Sequence, residues 1–148
     1  MEGGGPSGAP GAEGLFTMAD YTKPIMVVDD DSMVVSMLQD TLEDSGYQVL
    51  SYTSAKTAVA ALPDTEVELV ITDYHMPEMT GLDLLKAVNI LQDELGRRMA
   101  VIVLSAQKDA KIALELVKNS AFSYQSKPLD IQKLLLDVQR AITKLMLP

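Results

Sequence analysis

Six side chains of this chain have types that could together handle a metal ion and a phosphoryl group. Asp29, Asp30 and Asp31 stand in a row, Asp73 ends an apolar stretch, and Ser105 and Lys127 close two later ones. An oxygen-only donor set favours Mg²⁺ (or Mn²⁺) over zinc, and the chain has no cysteine to offer a thiolate. A lysine ammonium and a serine hydroxyl suit the oxygens of a phosphoryl group. Two carboxylates held about 4 Å apart repel by about 1 kcal/mol in water, and by about 4 kcal/mol at an effective dielectric of about 20. Packing gives no reason for such a cluster, whereas a divalent cation does. The plain alternative is a solvated acidic loop with an unrelated lysine nearby. Whether the fold brings these positions together decides between the two.

The elements that would carry them are legible. Residues 25–28 are uncharged and rich in β-branched types, as in a buried strand, and run into three aspartates and Ser32. Ser32 reads as an ordinary helix cap, and Asp31 as an acid near a helix N-terminus or a metal ligand. Met33, Val34, Met37, Leu38 and Leu42 then recur at helical spacing until Gly46. Residues 47–52 form a second strand, and Ser54 caps a short alanine-rich helix ending at Pro63. Residues 67–72 form a third strand ending at Asp73, and Thr80 caps a helix carrying Leu82, Leu85, Val88 and Leu95. A fourth strand over 99–104 ends at Ser105, and a helix spans 109–118 with Asn119 in a left-handed cap. A fifth strand covers 121–125. After Pro128 the last helix lines up Ile131, Leu134, Leu135, Val138, Ile142 and Leu145.

Five such βα units imply an α/β fold, a parallel sheet covered by helices on both faces. Ligands of these sheets bind beyond the carboxyl ends of the strands, where strand order switches. All six chemical residues belong to that edge.

Composition sets the outer bounds. The chain has 148 residues, 47% of them hydrophobic, which is enough for one domain with a proper core. Its 21 acidic residues against 12 basic ones give a net charge of −9, which argues against direct nucleic-acid binding. No apolar run approaches the roughly 18 residues of a membrane span, and no secretory signal is visible. A cytoplasmic home is expected. Six of the nine glycines and two of the seven prolines fall in the first 14 residues. Residues 1–23 are therefore expected to be a disordered Gly/Pro-rich leader or extension, with the domain over 24–148. Gly3, Gly5 and Gly8 match a dinucleotide-binding pattern by accident, since no strand precedes them and no helix follows.

The blocks IMVVDDD (25–31), LVITDYHMPEMTG (69–81), VIVLSA (101–106) and YQSKP (124–128) give the sequence a clear likeness. It resembles the receiver domain of two-component response regulators, over everything but the first two dozen residues. The resemblance implies a flavodoxin-like (βα)5 fold, with a doubly wound sheet of strand order 2-1-3-4-5. It implies that Asp73 is the phosphoacceptor, not a turnover enzyme's catalytic group. Mg²⁺ would be held by Asp29, Asp30, Asp73 and the main-chain carbonyl of His75. Lys127 and Ser105 would bind phosphoryl oxygens, and Lys127–Pro128 would be a cis peptide. Ser105 and Tyr124 would form the switch that reshapes the face built from the fourth helix, fifth strand and fifth helix. The implied partners are a sensor histidine kinase or phosphotransfer protein, and a downstream output domain or target. A phosphorylation-dependent dimer is a further arrangement of that kind.

Two rivals come from other classes. Asp29 and Asp31 partly mimic the D-x-D-x-T motif of haloacid-dehalogenase-like phosphatases, but Met33 stands where threonine belongs. A pseudo-receiver serving only as an interaction module is opposed by the intact set of Asp29, Asp30, Asp73, Ser105 and Lys127. The side chain of His75, the lone histidine, reads as a solvent-facing loop residue. Leu129, Leu136 and Leu147 leave some apolar surface for a partner.

Overall fold

The computed structural model describes residues 18–106 and 109–148. Five strands follow one another in the chain: β1 (Ile25–Val28), β2 (Val49–Tyr52), β3 (Leu69–Asp73), β4 (Ala100–Ser105) and β5 (Ser123–Ser126). Between and after them run α1 (Ser32–Asp44), α2 (Ala55–Ala61), α3 (Gly81–Leu95), α4 (Ala110–Lys118) and α5 (Ile131–Met146). All strand pairs are parallel, in the order β2-β1-β3-β4-β5. The doubly wound sheet and its expected order are both found. The chain steps from β1 outward to β2 and then back past β1 to β3. That reversal lies between β1 and β3, so the crevice opens where Asp29 and Asp73 end their strands.

The three central strands are buried along their whole length, and their residues alternate between two cores. Ile25, Val27, Leu69, Ile71, Ile102 and Leu104 face Leu38 and Leu42 of α1 and Leu134, Val138 and Ile142 of α5. Met26, Val28, Val70, Val101 and Val103 face Ala55 and Ala58 of α2, Leu84 and Val88 of α3, and Leu116 of α4. Each such large side chain contributes about 1.5–3 kcal/mol by leaving water. This rigid slab is what holds the strand ends in place.

Two local expectations are corrected. The cap of α1 is Asp31, whose side chain accepts from the Met33 N–H; Ser32 is the first helical residue. A carboxylate satisfies the orphan N–H and meets the helix dipole at once, which a neutral hydroxyl cannot. The left-handed residue after α4 is Ser120 (φ 66°), not Asn119, which ends the helix at φ −98°. Asn119 instead uses its side chain to donate to the Glu115 carbonyl. Residues 18–23, on the leader side of the expected boundary at 24, pack against this domain. Met18–Asp20 form a 3₁₀ turn, Met18 and the buried Tyr21 join the first core, and Lys23 pairs with Glu68 at 2.7 Å. Two apolar side chains anchor this stretch, which holds neither glycine nor proline, to the domain. The rest of that leader, with Gly3, Gly5 and Gly8, lies outside the described residues.

Tyr21 also sets an alkaline limit. Burial pushes its phenol well above the ordinary value of 10.0, and the negative charge of Glu68 pushes further. Below pH 10 the phenol is protonated in both the folded and unfolded states, so its contribution is intact. Above that pH the unfolded chain ionises first while the folded chain keeps its proton, and stability falls as pH rises. Tyr21→Phe is expected to flatten this fall by up to about 1.4 kcal/mol per pH unit. Urea denaturation at stepwise pH from neutrality upward checks it; an unchanged slope would mean that Tyr21 ionises freely in the fold.

Candidate functional site

At the carboxyl edge the strand ends converge. Asp29 directly follows β1, Asp73 closes β3, and carboxylate oxygens of Asp29, Asp30 and Asp73 all lie within 4.8 Å of one another. Asp29 is 1% exposed and Asp73 7%, whereas Asp30 faces solvent. Lys127, just beyond β5, crosses the crevice from the far side. Its ammonium stands 3.0 Å from Asp73 Oδ1 and 3.2 Å from Asp29 Oδ2. Residues 98 positions apart thus share one ion pair.

Backbone contacts fix each participant. Asp29 Oδ1 accepts from the Asp31 N–H at 2.9 Å, so its carboxylate is held before any ligand arrives. The Lys127 N–H donates to the Ser105 carbonyl at 2.7 Å, joining the ends of β4 and β5. Ser105 itself is fully buried at its strand end. Asp31, by contrast, is committed to capping α1 and stands exposed. Asp29 and Asp31 therefore do different jobs, unlike the two aspartates of a D-x-D-x-T phosphatase motif.

The electrostatics are those of an acidic pocket with one counter-ion. Burial raises the Asp29 carboxyl above the ordinary carboxylate value; the Asp31 N–H opposes this, Asp73 adds to it, and Lys127 opposes it again. Burial would pull Lys127 down, but its hydrogen bond to Asp73 and the charges of Asp29 and Asp73 outweigh that. Its ammonium is held above the ordinary lysine value. Three carboxylates, hard oxygen donors on short side chains with one of them open to water, fit Mg²⁺. The lysine leaves a positive group at the rim for an anion.

The other expected residues lie around this centre. Tyr124, in β5, is partly buried against the second core beside Tyr74. His75 is exposed two residues beyond Asp73, its ring edge-on to Tyr74 with centroids 4.8 Å apart. The Lys127–Pro128 peptide is cis.

One residue with no chemistry of its own belongs to the site and escaped the sequence reading. Gly81 opens α3 behind the capping box of Thr80 and Asp83. Its N–H donates to the Tyr74 carbonyl at 2.8 Å. A Cβ at Gly81 would meet the Asp73 carbonyl oxygen at 2.8 Å and Tyr74 Cα at 3.0 Å. The only signal was a glycine in a first helical turn, where no unusual φ explains it. Gly81→Ala should push α3 from the end of β3 and cost about 1–3 kcal/mol, as overpacking against backbone does. A lower urea midpoint at unchanged slope would register it; an unchanged midpoint would show that the helix start yields freely.

Comparison with known proteins agrees with this geometry. A family model of the response regulator receiver domain matches residues 25–139. The transcriptional regulatory protein FixJ of Azorhizobium caulinodans is 37% identical over 107 residues, 72% of this chain and 49% of its own length. The DNA-binding transcriptional regulator NtrC of Azospirillum brasilense is 33% identical over 118 residues, 80% of this chain and 24% of its own length. A solved receiver domain protein from Clostridium thermocellum matches with a TM-score of 0.75 at 30% identity, covering 82% of this chain and 95% of that one. The chain thus spans about a quarter of NtrC and about half of FixJ. No helix among the described residues is long and apolar enough to cross a membrane. With the family model covering most of its length, the chain belongs to the response regulator receiver domains of two-component signalling.

Proposed function

We propose that this domain accepts a phosphoryl group on Asp73 from a phosphohistidine of a sensor kinase or phosphotransfer protein. One observation carries the reading: the Lys127 ammonium stands 3.0 Å from Asp73, at the mouth of a three-carboxylate cluster that fits Mg²⁺. Asp29, Asp30, Asp73 and the His75 main-chain carbonyl would hold the ion. Bound there, Mg²⁺ supplies positive charge that offsets the repulsion between an acidic pocket and an anionic phosphoryl group. A carboxylate is a weak nucleophile, but loose phosphoryl transfer depends mainly on position and neutralised charge. An oxygen of Asp73 attacks phosphorus, the P–N bond breaks with its electron pair returning to the imidazole, and an aspartyl phosphate remains. Lys127 shifts from carboxylate to phosphoryl oxygen, and the Ser105 hydroxyl donates to another.

Signal output then follows from packing. The modified aspartate carries about two negative charges and strong acceptor oxygens. Ser105 drawn toward them vacates space that Tyr124 fills, reshaping the face of α4, β5 and α5. Phosphorylation acts by its differential affinity for the two arrangements, as a population shift. An output domain or separate target reads that face.

Incubation with acetyl phosphate and Mg²⁺ tests this. The expected result is a mass gain of one phosphoryl group per chain, absent with EDTA and removed by hydroxylamine. No gain, or repeated turnover of the donor without a labelled protein, would overturn it.

A further inference from the structure

The last helix buries a charge that packing does not require. Asp137 lies among Leu134, Val138, Ala141 and Ile142 on the inner face of α5, and is 8% exposed. An apolar residue of similar size would avoid the desolvation cost at this position. Its Oδ2 accepts from two donors on alternate residues of β5: Ser123 Oγ, and Gln125 Nε2 at 2.5 Å. Gln125 is itself only 4% exposed, and it also donates to the Lys133 carbonyl at 3.4 Å. Arg140 approaches the other carboxylate oxygen at 3.7 Å. A single oxygen atom therefore clasps β5 to α5 at two points.

No other strand that leads into the site is so weakly placed by its own backbone. β5 is an edge strand, hydrogen-bonded to β4 alone. Apolar packing against α5 would tolerate a slide along the strand; two converging hydrogen bonds do not. The residue after β5 is Lys127, whose ammonium must stand between Asp29 and Asp73. Between the two clasped residues lies Tyr124, packed in the core on the opposite side of the sheet.

We infer that Asp137 is a positioning residue: through Ser123 and Gln125 it fixes the register of β5 and so the presentation of Lys127 and Tyr124. This rests on the phosphoacceptor reading above, for which Lys127 placement governs the rate. Misplacing a reacting group by an ångström can cost orders of magnitude in rate while leaving the fold intact.

The test compares Asp137→Leu, Asp137→Asn and Gln125→Leu in the full chain. Because one oxygen accepts both bonds, the asparagine amide oxygen can do the same. Asp137→Asn is expected to take label from acetyl phosphate and Mg²⁺ at a rate within about twofold of the wild type, and Asp137→Leu about tenfold more slowly at saturating donor. Asp137→Leu leaves the buried Gln125 amide without its acceptor and should unfold at a lower urea concentration, so rates are compared without urea on protein shown to be folded, which separates placement from folding. Amide resonances of residues 123–127 should broaden in the leucine variants and stay sharp in Asp137→Asn. Should Asp137→Leu fail to fold, Gln125→Leu, which removes one clasp, decides by the same rate and spectrum. Wild-type rates with unbroadened resonances in the folded leucine variants would overturn the inference. If the wild type takes no label, the phosphoacceptor reading has failed, and the spectra alone then show whether Asp137 sets the register of β5.

Discussion

Asp73→Asn will take up no phosphoryl group from acetyl phosphate and Mg²⁺, a drop of at least about a hundredfold, because an amide oxygen is too weak a nucleophile. Two other carboxylates share the pocket, so the geometry must single out Asp73. Asp29 is 1% exposed, with Oδ1 taken by the Asp31 N–H and Oδ2 by Lys127. Asp30 is open to solvent and makes no ion pair among the described residues. Asp73 combines partial shielding with a direct lysine contact at its Oδ1, so an incoming phosphoryl group meets both a nucleophile and a cation. The variant should stay folded, since Lys127 keeps its bond to Asp29 and the replacement is isosteric. Intact-mass measurement and a urea curve on the same sample check both halves. Label retained at full yield would move the acceptor to Asp30 or Asp29.

The residues of this site were legible because strands of a doubly wound sheet end at one edge. Apolar runs give the strands, and whatever polar residue stops a run lands at the crevice. Asp29, Asp73 and Ser105 are read in that way, and Lys127 by its place after the fifth run. The fold was legible for the same reason, since buried parallel strands leave few other ways to cover both faces. What escaped depends on contacts between elements. Gly81 matters because of a backbone oxygen eight residues earlier in the chain. Asp137 was not singled out, because its partners Ser123 and Gln125 sit on β5 and the helical spacing of α5 gives no sign of them. The caps were misjudged by one residue, at Asp31 against Ser32 and at Ser120 against Asn119. There, adjacent residues of similar propensity compete, and tertiary geometry chooses. Met18 and Tyr21 show no periodic apolar pattern in so short a stretch, so nothing in the sequence ties them to the core.

The counter-ion is the other large effect, and it runs through stability. Lys127→Met will lower unfolding free energy by about 2–4 kcal/mol in EDTA, since removing one partner of a buried pair strands the other charge. The value sits below the fully buried range because the lysine side chain is 24% exposed and water screens part of its interaction. Asp29 and Asp73, at 2% and 9% side-chain exposure, have no such relief. Their mutual repulsion, together with Asp30 inside the same 4.8 Å cluster, is then unopposed. Mg²⁺ should repair the deficit. In the wild type, ion at ten times its dissociation constant adds about 1.4 kcal/mol. The variant, having lost a competing cation, should bind Mg²⁺ more tightly and gain more at the same concentration, so the two urea curves converge as Mg²⁺ rises. Acyl-phosphate labelling should nevertheless stay low, because neutralising the pocket does not replace the ammonium that meets the phosphoryl oxygens. A variant as stable as the wild type in EDTA, and no more responsive to Mg²⁺, would show that the carboxylates need no internal cation to coexist. Recovery of label along with stability would reduce Lys127 to a charge balance. Stability that returns with Mg²⁺ while labelling does not would separate its two roles, holding the empty pocket together and receiving the phosphoryl group.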